Sequence, residues 1–282
     1  MERTSRLLKL CKLDYLDGRD VAVAFSGGVD SSFLLWVLAK RENRGRLYAI
    51  TAASPLTPVR ETAQAEAFCR DLGVPQITFS FDPMDPSDPA CYVPEFADNP
   101  GDRCYLCKRQ LFNRIKDLAM AQGVKVIVDG TNADDEGDYR PGIRALQELG
   151  IRSPLKDAGF TKQEIRRLLY EAGLPVYAKP SQACLATRFP YGERITREGL
   201  ARVGAAEEFL RDMGFTQVRV RVHGKNLARI ELQPEQFPKM LEESLRLEVI
   251  EKLNEYGFTY ISMDLSGYRT GSMNETVSKK SI

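Results

Sequence analysis

The stretch that most constrains this chain is Val21-Ala-Val-Ala-Phe-Ser-Gly-Gly-Val-Asp-Ser-Ser32. Val21 to Phe25 is an unbroken apolar run, the pattern of a strand buried on both faces of a parallel sheet. Ser26, Gly27, Gly28, Val29, Asp30, Ser31 and Ser32 read as a tight turn, and Phe33 to Ala39 as the helix after it. A strand, a glycine turn and a helix N-terminus in succession make an anion site. Glycine lets backbone N–H groups turn inward, and the helix dipole adds positive potential. The expected ligand is a phosphate or pyrophosphate. A Walker A loop would need a lysine that this turn lacks, and the Gly-x-Gly-x-x-Gly dinucleotide fingerprint is absent.

The rest of the N-terminal half extends that unit into a repeating pattern. Leu7, Leu8, Leu10, Leu13 and Leu16 predict a lead-in helix over residues 1–17, with Cys11 on or near its apolar stripe. Leu47–Ala53 reads as a second strand, Pro58–Leu72 as a helix with Cys69 a buried thiol, and Gln76–Phe81 as a third strand. Lys125–Asn132 reads as a fourth. Such alternation predicts an α/β fold with a doubly wound parallel sheet, whose ligands bind at the carboxyl ends of the strands. Ala52 and Ser54, at the end of the second strand, are therefore candidates for an adenine pocket. The sheet domain is expected to span residues 1–190. A smaller α+β domain over 191–282 follows, with a helix over Glu198–Met213, strands at Gln217–Val222, Leu227–Leu232 and Tyr260–Leu265, and mostly helix over Glu235–Glu255.

Composition bounds the function. With 282 residues the chain can form one large or two modest domains, and its net charge of +1 gives no global electrostatic case for nucleic acid or membrane. No apolar run reaches the length of a membrane span, and the first residues are not followed by a signal-peptide core. Six cysteines in such a chain are expected to be reduced thiols in the cytoplasm.

Cys91 falls in the Pro- and Asp-rich loop 82–101. Cys104 and Cys107 open an amphipathic helix that runs on through Leu111, Phe112, Ile115 and Leu118. A helix N-terminus stabilises thiolate, and Arg103, Lys108 and Arg109 add positive charge. Metal or cluster ligation, a redox dithiol and plain structural cysteines are all open for this pair. Downstream, Asp129-Gly-Thr-Asn132 ends the fourth strand, and the acidic loop after it, with Asp134, Asp135, Glu136 and Asp138, either holds a cation or is simply solvated. Arg140 and Arg144 lie where they can bind a phosphate or carboxylate bidentately. Ser153-Pro-Leu reads as a short strand and turn, and Thr161-Lys-Gln-Glu164 as a capping box opening a helix to about Ala172. Cys184, in a loop beside Arg188, is a candidate nucleophile or ligand. In Val218-Arg-Val-Arg-Val222 the alternation puts Arg219 and Arg221 on one face, either solvated or bound to a phosphate. Arg269 stands in a Gly-rich stretch near the C-terminus, and 276–282 reads as a tail.

The order Ser-Gly-Gly-x-Asp-Ser resembles the PP-loop of the ATP pyrophosphatase superfamily, and Asp-Gly-Thr-Asn with Asp-Tyr-Arg-Pro-Gly resembles the second nucleotide-contacting segment of its sulfur-moving members. With Ser-x-x-Cys-Leu-Ala-Thr-Arg-Phe-Pro-Tyr-Gly at 181–192, Arg219-Val-Arg221 and Ala228-Arg-Ile-Glu-Leu232, the chain resembles the LarE family from about residue 15 to 275. These are ATP-dependent sulfur transferases that mature the nickel-pincer cofactor of lactate racemase. The resemblance implies ATP cleaved to AMP and pyrophosphate at Ser26, Gly27, Gly28, Asp30, Ser31, Ser32, Ala52, Ser54, Asp129, Gly130, Thr131 and Asn132, with Mg²⁺ near Asp30. It implies a pyridinium mononucleotide substrate held by Asp138, Arg140, Arg144, Arg188, Arg219, Arg221 and Arg269, and a homo-oligomer is expected.

In the best-known form of the family the counterpart of Cys184 is a sacrificial sulfur donor. This chain also has Cys104 and Cys107, and so resembles a three-cysteine variant whose trio binds a [4Fe–4S] cluster, with sulfur from sulfide or another donor carried by the open iron. A zinc site completed by His223 is a rival for the same thiolates. The alternatives in function are a PP-loop tRNA thiolase, sacrificial transfer from Cys184, and a non-catalytic ATP-binding sensor.

Overall fold

The computed structural model describes residues 10, 12–137, 141–181, 183–269 and 271–274. They fall into two compact units. The first is the chain through Ser54 with Val59–Val93 and Cys104–Ser181; the second is Pro55–Pro58, Pro94–Arg103 and Gln182–Ile282. Asp138 and Arg140, with most of the expected lead-in helix and Cys11, lie outside the described residues.

The first unit is built on a four-stranded sheet in the order β3-β2-β1-β4, with β1 Val21–Ala24, β2 Leu47–Ala53, β3 Gln76–Ser80 and β4 Val126–Val128. Every pairing in it is parallel. Alternation along β1 explains why both faces are covered. Val21 and Val23 join a core that includes Phe33, Leu34 and Leu35 of α1 (Val29–Ala39), Ala65 and Cys69 of α2 (Val59–Leu72), and Ile165 and Leu169 further along the chain. Ala22 points the other way, into a core with Phe112, Ile115 and Ala119 of α3 (Arg103–Ala121) and with Leu146 of α4 (Pro141–Glu148). Helices on both faces of a parallel sheet are the doubly wound arrangement expected from the sequence. No helix among the described residues is long and apolar enough to cross a membrane.

Two local readings change. The turn after β1 is shorter than expected: α1 starts at Val29, so Asp30, Ser31 and Ser32 lie in its first turn. Gly28 is its N-cap, and the Ser32 amide already donates a helical bond to the Gly28 carbonyl at 2.9 Å. Ser153-Pro-Leu is not a strand. Pro154 sits at the start of a short helix, α5 (Pro154–Ala158), where its missing N–H costs no hydrogen bond, and only Arg152 makes a single parallel bridge, to Val128.

The second unit holds a three-stranded sheet, β5 (Arg219–His223) antiparallel to β6 (Leu227–Glu231), and β6 parallel to β7 (Tyr260–Met263). It is accompanied by α7 (Arg197–Asp212), α8 (Phe237–Leu241) and α9 (Glu243–Glu255).

The capping box appears as read, and opens α6 (Lys162–Glu171). The Thr161 hydroxyl accepts from the Glu164 amide, and the Glu164 carboxylate accepts from the Thr161 amide at 2.9 Å. Thr161→Ala should therefore lower stability by about 1 kcal/mol, measured by denaturant unfolding.

Candidate active site

The loop between β1 and α1 is shaped for a ligand. Gly27 has φ of +70°, and a Cβ there would lie 3.0 Å from the Ala65 side chain, so glycine alone is accommodated. Ser26 Oγ lies 3.1 Å from Ser31 Oγ, and the Ser31 hydroxyl donates to the Gly28 carbonyl at 3.2 Å. The segment after β4 closes in from the neighbouring strand: a Cβ on Gly130 would lie 2.7 Å from the Ser31 backbone nitrogen, a distance no real side chain tolerates. Gly130 is thus what lets the end of β4 touch the first turn of α1.

Polar atoms are left over at this spot. Asp30 Oδ1 and Ser32 Oγ are buried without a hydrogen-bond partner. Buried polar atoms are nearly always paired, and an unpaired carboxylate oxygen and hydroxyl in the first turn of one helix have the chemistry to bind a cation and a phosphate. Two lysines the sequence reading passed over stand here. Lys162 Nζ donates to Asp30 Oδ2 at 2.7 Å, and Lys179 Nζ donates to the Gly27 carbonyl at 2.9 Å while paired with Glu61 at 2.5 Å. The loop has no lysine of its own; α6 and the segment after it supply the positive charge.

Asp129 accepts hydrogen bonds from Thr131 and, at 2.6 Å, from Ser153. Burial pushes its carboxyl above the ordinary range, against those bonds and the charge of Lys108. Lys108 follows Cys107, so the start of α3 borders the same end of β4. Cys104 and Cys107, both half-buried, are one helical turn apart there, with Tyr105 between them. The Tyr105 hydroxyl donates to Glu148 at 2.7 Å. Arg144 stacks on the Tyr105 ring at 3.9 Å and pairs with Glu148 at 3.1 Å, so this arginine lies beside the Cys-x-x-Cys turn. Ala52 in β2 and Ser54 just after it are half-buried at the carboxyl end of that strand.

In the second unit, half-buried Cys184 is the N-cap of a 3-10 turn, Leu185–Arg188. Arg188 is fully buried. It forks onto Glu207 at 2.7 and 2.9 Å and donates to the Ala183 and Cys184 carbonyls at 2.9 and 3.2 Å. Glu207, which the sequence did not single out, is pushed up by burial but held below the ordinary carboxylate range by Arg188, Arg219 and Arg211.

Of the two alternatives open for Arg219 and Arg221, the solvated face is ruled out. Both are buried, at 2% and 5% exposure, as are the valines that alternate with them. Arg221 forks onto Glu231 at 3.0 and 2.8 Å, and Arg219 lies over the Tyr268 ring at 5.2 Å. Burial and the charge of Arg188 lower Arg219 to about 10. Arg269 is half-exposed, donating to the Gly267 carbonyl at 3.4 Å. His223 accepts a hydrogen bond on Nε2 from Arg229 at 3.1 Å, which occupies the lone pair a zinc ion would need.

Comparison with known proteins decides the lineage. The chain is 36% identical to the pyridinium-3,5-bisthiocarboxylic acid mononucleotide synthase of Lactiplantibacillus plantarum, over 94% of this chain and 93% of that one. The chain belongs to the LarE family. It is also 41% identical to an uncharacterized protein of Synechocystis sp. over 91% of this chain and 92% of the other, and 30% identical to one of Methanocaldococcus jannaschii over 94% and 98%. The asparagine synthase family matches residues 12–136, the part that carries the β1 loop and the end of β4. As a LarE-family member the protein is an ATP-dependent enzyme.

Among the described residues no three His, Cys, Asp or Glu side chains are gathered as a metal site. The cysteines nevertheless divide sharply by environment. Burial pushes the Cys69 thiol up to about 12, and burial with Asp88 pushes Cys91 to about 11. Iodoacetamide at neutral pH should therefore label Cys104, Cys107 and Cys184 well before Cys69 and Cys91, as read by peptide mass spectrometry.

Glu207 gives a pH prediction. A carboxylate held below its unfolded value contributes full stability above roughly pH 4.3, and loses it as pH falls through its folded value. Glu207→Gln should remove that acid-side slope. It should also cost about 3–5 kcal/mol at neutral pH, because Arg188 stays buried without its carboxylate. Denaturant unfolding across pH 3–7 checks both.

Proposed function

We propose that this protein activates a carboxylate of a pyridinium mononucleotide with ATP and replaces one of its oxygens by sulfur, within maturation of the nickel-pincer cofactor. The observation that carries the ATP half is the pair of unpartnered buried atoms, Asp30 Oδ1 and Ser32 Oγ, in the first turn of α1. Their chemistry suits Mg²⁺ and a phosphate oxygen. Backbone N–H groups of Ser26, Gly27 and Gly28 and the charges of Lys162 and Lys179 would hold the departing pyrophosphate. Ala52 and Ser54 would line the adenine, and Asp129, Gly130, Thr131 and Asn132 would complete the nucleotide pocket.

A carboxylate is a poor acceptor for sulfur because its leaving group is oxide. Attack of a carboxylate oxygen on the α-phosphorus breaks the bond to the β-phosphate, and pyrophosphate leaves. The leaving group is now AMP. A sulfur nucleophile adds to the acyl carbon, the C–O bond breaks with its electrons going to AMP, and a thiocarboxylate remains. Lys162, already on Asp30, can shift to the phosphates as charge develops there.

The substrate's own phosphate needs a cationic partner. Within the second unit Arg219 and Arg221, two residues apart on β5, are both buried. Their guanidinium groups would hold that phosphate, with Arg269, Arg140, Arg144 and Asp138 contributing to the pyridinium carboxylates and ribose. Arg188 is better read as holding the Cys184 backbone.

Cys104, Cys107 and Cys184 would hold a [4Fe–4S] cluster. The donor set fits: thiolates are its normal ligands, two stand one turn apart at a helix start, and all three are half-buried. When bound, the cluster supplies the sulfur, drawn from sulfide or another donor. The three cysteines would then survive turnover.

Two measurements test this. Product analysis should give AMP and pyrophosphate, with Asp30→Asn roughly 100-fold slower; ADP and phosphate would contradict the activation step. Mass spectrometry after several turnovers should find Cys184 unchanged. Loss of one hydrogen sulfide from it would instead assign the sacrificial route.

A further inference from the structure

The second unit contains two short pieces of the N-terminal half of the chain, Pro55–Pro58 and Pro94–Arg103. Each adjoins a site segment in sequence: Ser54 precedes the first, and Cys104 follows the second. Both are bonded to the segment that follows Cys184. The Leu185 amide donates to the Leu56 carbonyl at 2.9 Å, the Gly192 amide to Asn99 at 2.9 Å, and the Ile195 amide to Ala97 at 2.7 Å.

Two buried side chains tighten the second junction. Asn99 is fully buried with φ of 53°, a left-handed conformation that asparagine adopts more readily than other non-glycine residues. From there its Nδ2 donates to the Phe189 and Pro190 carbonyls at 3.3 and 2.6 Å. Its Oδ1 accepts from Arg103 Nη1, which also donates to the Ala186 carbonyl at 3.1 Å. The Arg103 guanidinium, 2% exposed, lies 6.0 Å from the Phe96 ring centre and 5.7 Å from that of Tyr191. A planar guanidinium held between rings fixes direction as well as distance.

We infer that Asn99 and Arg103 are positioning residues that lock the segment after Cys184 onto the first residue of α3, one peptide bond before Cys104. Two arginines thus hold the turn that Cys184 opens: Arg188 through the Ala183 and Cys184 carbonyls, and Arg103, the first residue of the Cys-x-x-Cys helix, through the Ala186 carbonyl. The lock lies within the second unit; that Cys184 acts together with Cys104 and Cys107 rests on the proposed sharing of one centre by the three cysteines. The lock itself does not.

The test uses full-length, reduced, metal-free protein with Asn99→Gly, which suits the left-handed backbone and removes the side chain, and Arg103→Lys, which keeps the charge and removes the fork. Hydrogen exchange read by mass spectrometry should show the Leu185, Thr187 and Gly192 amides exchanging roughly tenfold faster in both variants, while amides of β1 and α7 keep their wild-type rates. In the same samples arsenite, which takes three thiolates, is titrated and the protected cysteines identified by alkylation. Wild type should protect Cys104, Cys107 and Cys184 together, and Asn99→Gly should keep the first two protected and release Cys184. Unchanged exchange over 185–192 in both variants, or undiminished co-protection in Asn99→Gly, overturns the inference. If wild type leaves Cys184 unprotected, the shared centre falls, and the lock stands or falls on the exchange rates alone.

Discussion

The carboxyl end of the first unit's sheet depends on one close approach, that of Gly130 to the backbone of Ser31. Because no side chain stands between them, the end of β4 can rest directly on the first turn of α1. That contact brings Asp129 and Thr131 beside the glycine loop. The start of α3 lies near the same strand end, where the charge of Lys108 acts on Asp129. The cysteine pair and the phosphate-shaped loop thereby belong to one edge of one sheet. A doubly wound sheet offers its ligand site at the carboxyl ends of its strands, and here that edge carries both the glycine loop and the Cys104–Cys107 turn.

The second unit is organised by charge rather than by shape. Strand β5 is buried on both faces, so its arginines persist only where carboxylates and rings receive them. Glu207 takes Arg188 and Arg211, and Glu231 takes Arg221 and, at 3.3 Å, Arg229. Ion pairs this deep add little net stability over apolar packing. They do hold geometry, and Arg188 spends its remaining donors on the carbonyls at and before Cys184. Arg188 thereby ties the Cys184 backbone to the buried Glu207 carboxylate.

Much of the first unit was legible because its signals are local. The apolar run at Val21, the glycines after it and the capping box at Thr161 each act over a few residues, and each forms as read. The first turn of α1 was read as loop because Val29 to Ser32 carry no apolar period, although the Gly28 carbonyl already accepts from Ser32. Lys162 and Lys179 were invisible for a different reason: their partners lie 132 and 152 residues away in the chain. The burial of Arg219 and Arg221 escaped notice because alternating charged and apolar residues ordinarily mark a half-solvated strand. Only the carboxylates of Glu207 and Glu231, on other elements, reverse that reading. Asn99 carried no sequence signal beyond its place in a proline-rich loop.

The central claim is that the β1 loop activates a carboxylate before any sulfur moves. Isotope exchange between pyrophosphate and ATP measures that step directly. The account predicts exchange that requires the pyridinium carboxylate substrate, needs no sulfide, and persists when Cys104, Cys107 and Cys184 are all replaced by serine, because the groups at Asp30, Ser32 and Lys162 suffice. Exchange that is absent with substrate present, or that vanishes with the cysteines while ATP still binds, would contradict it.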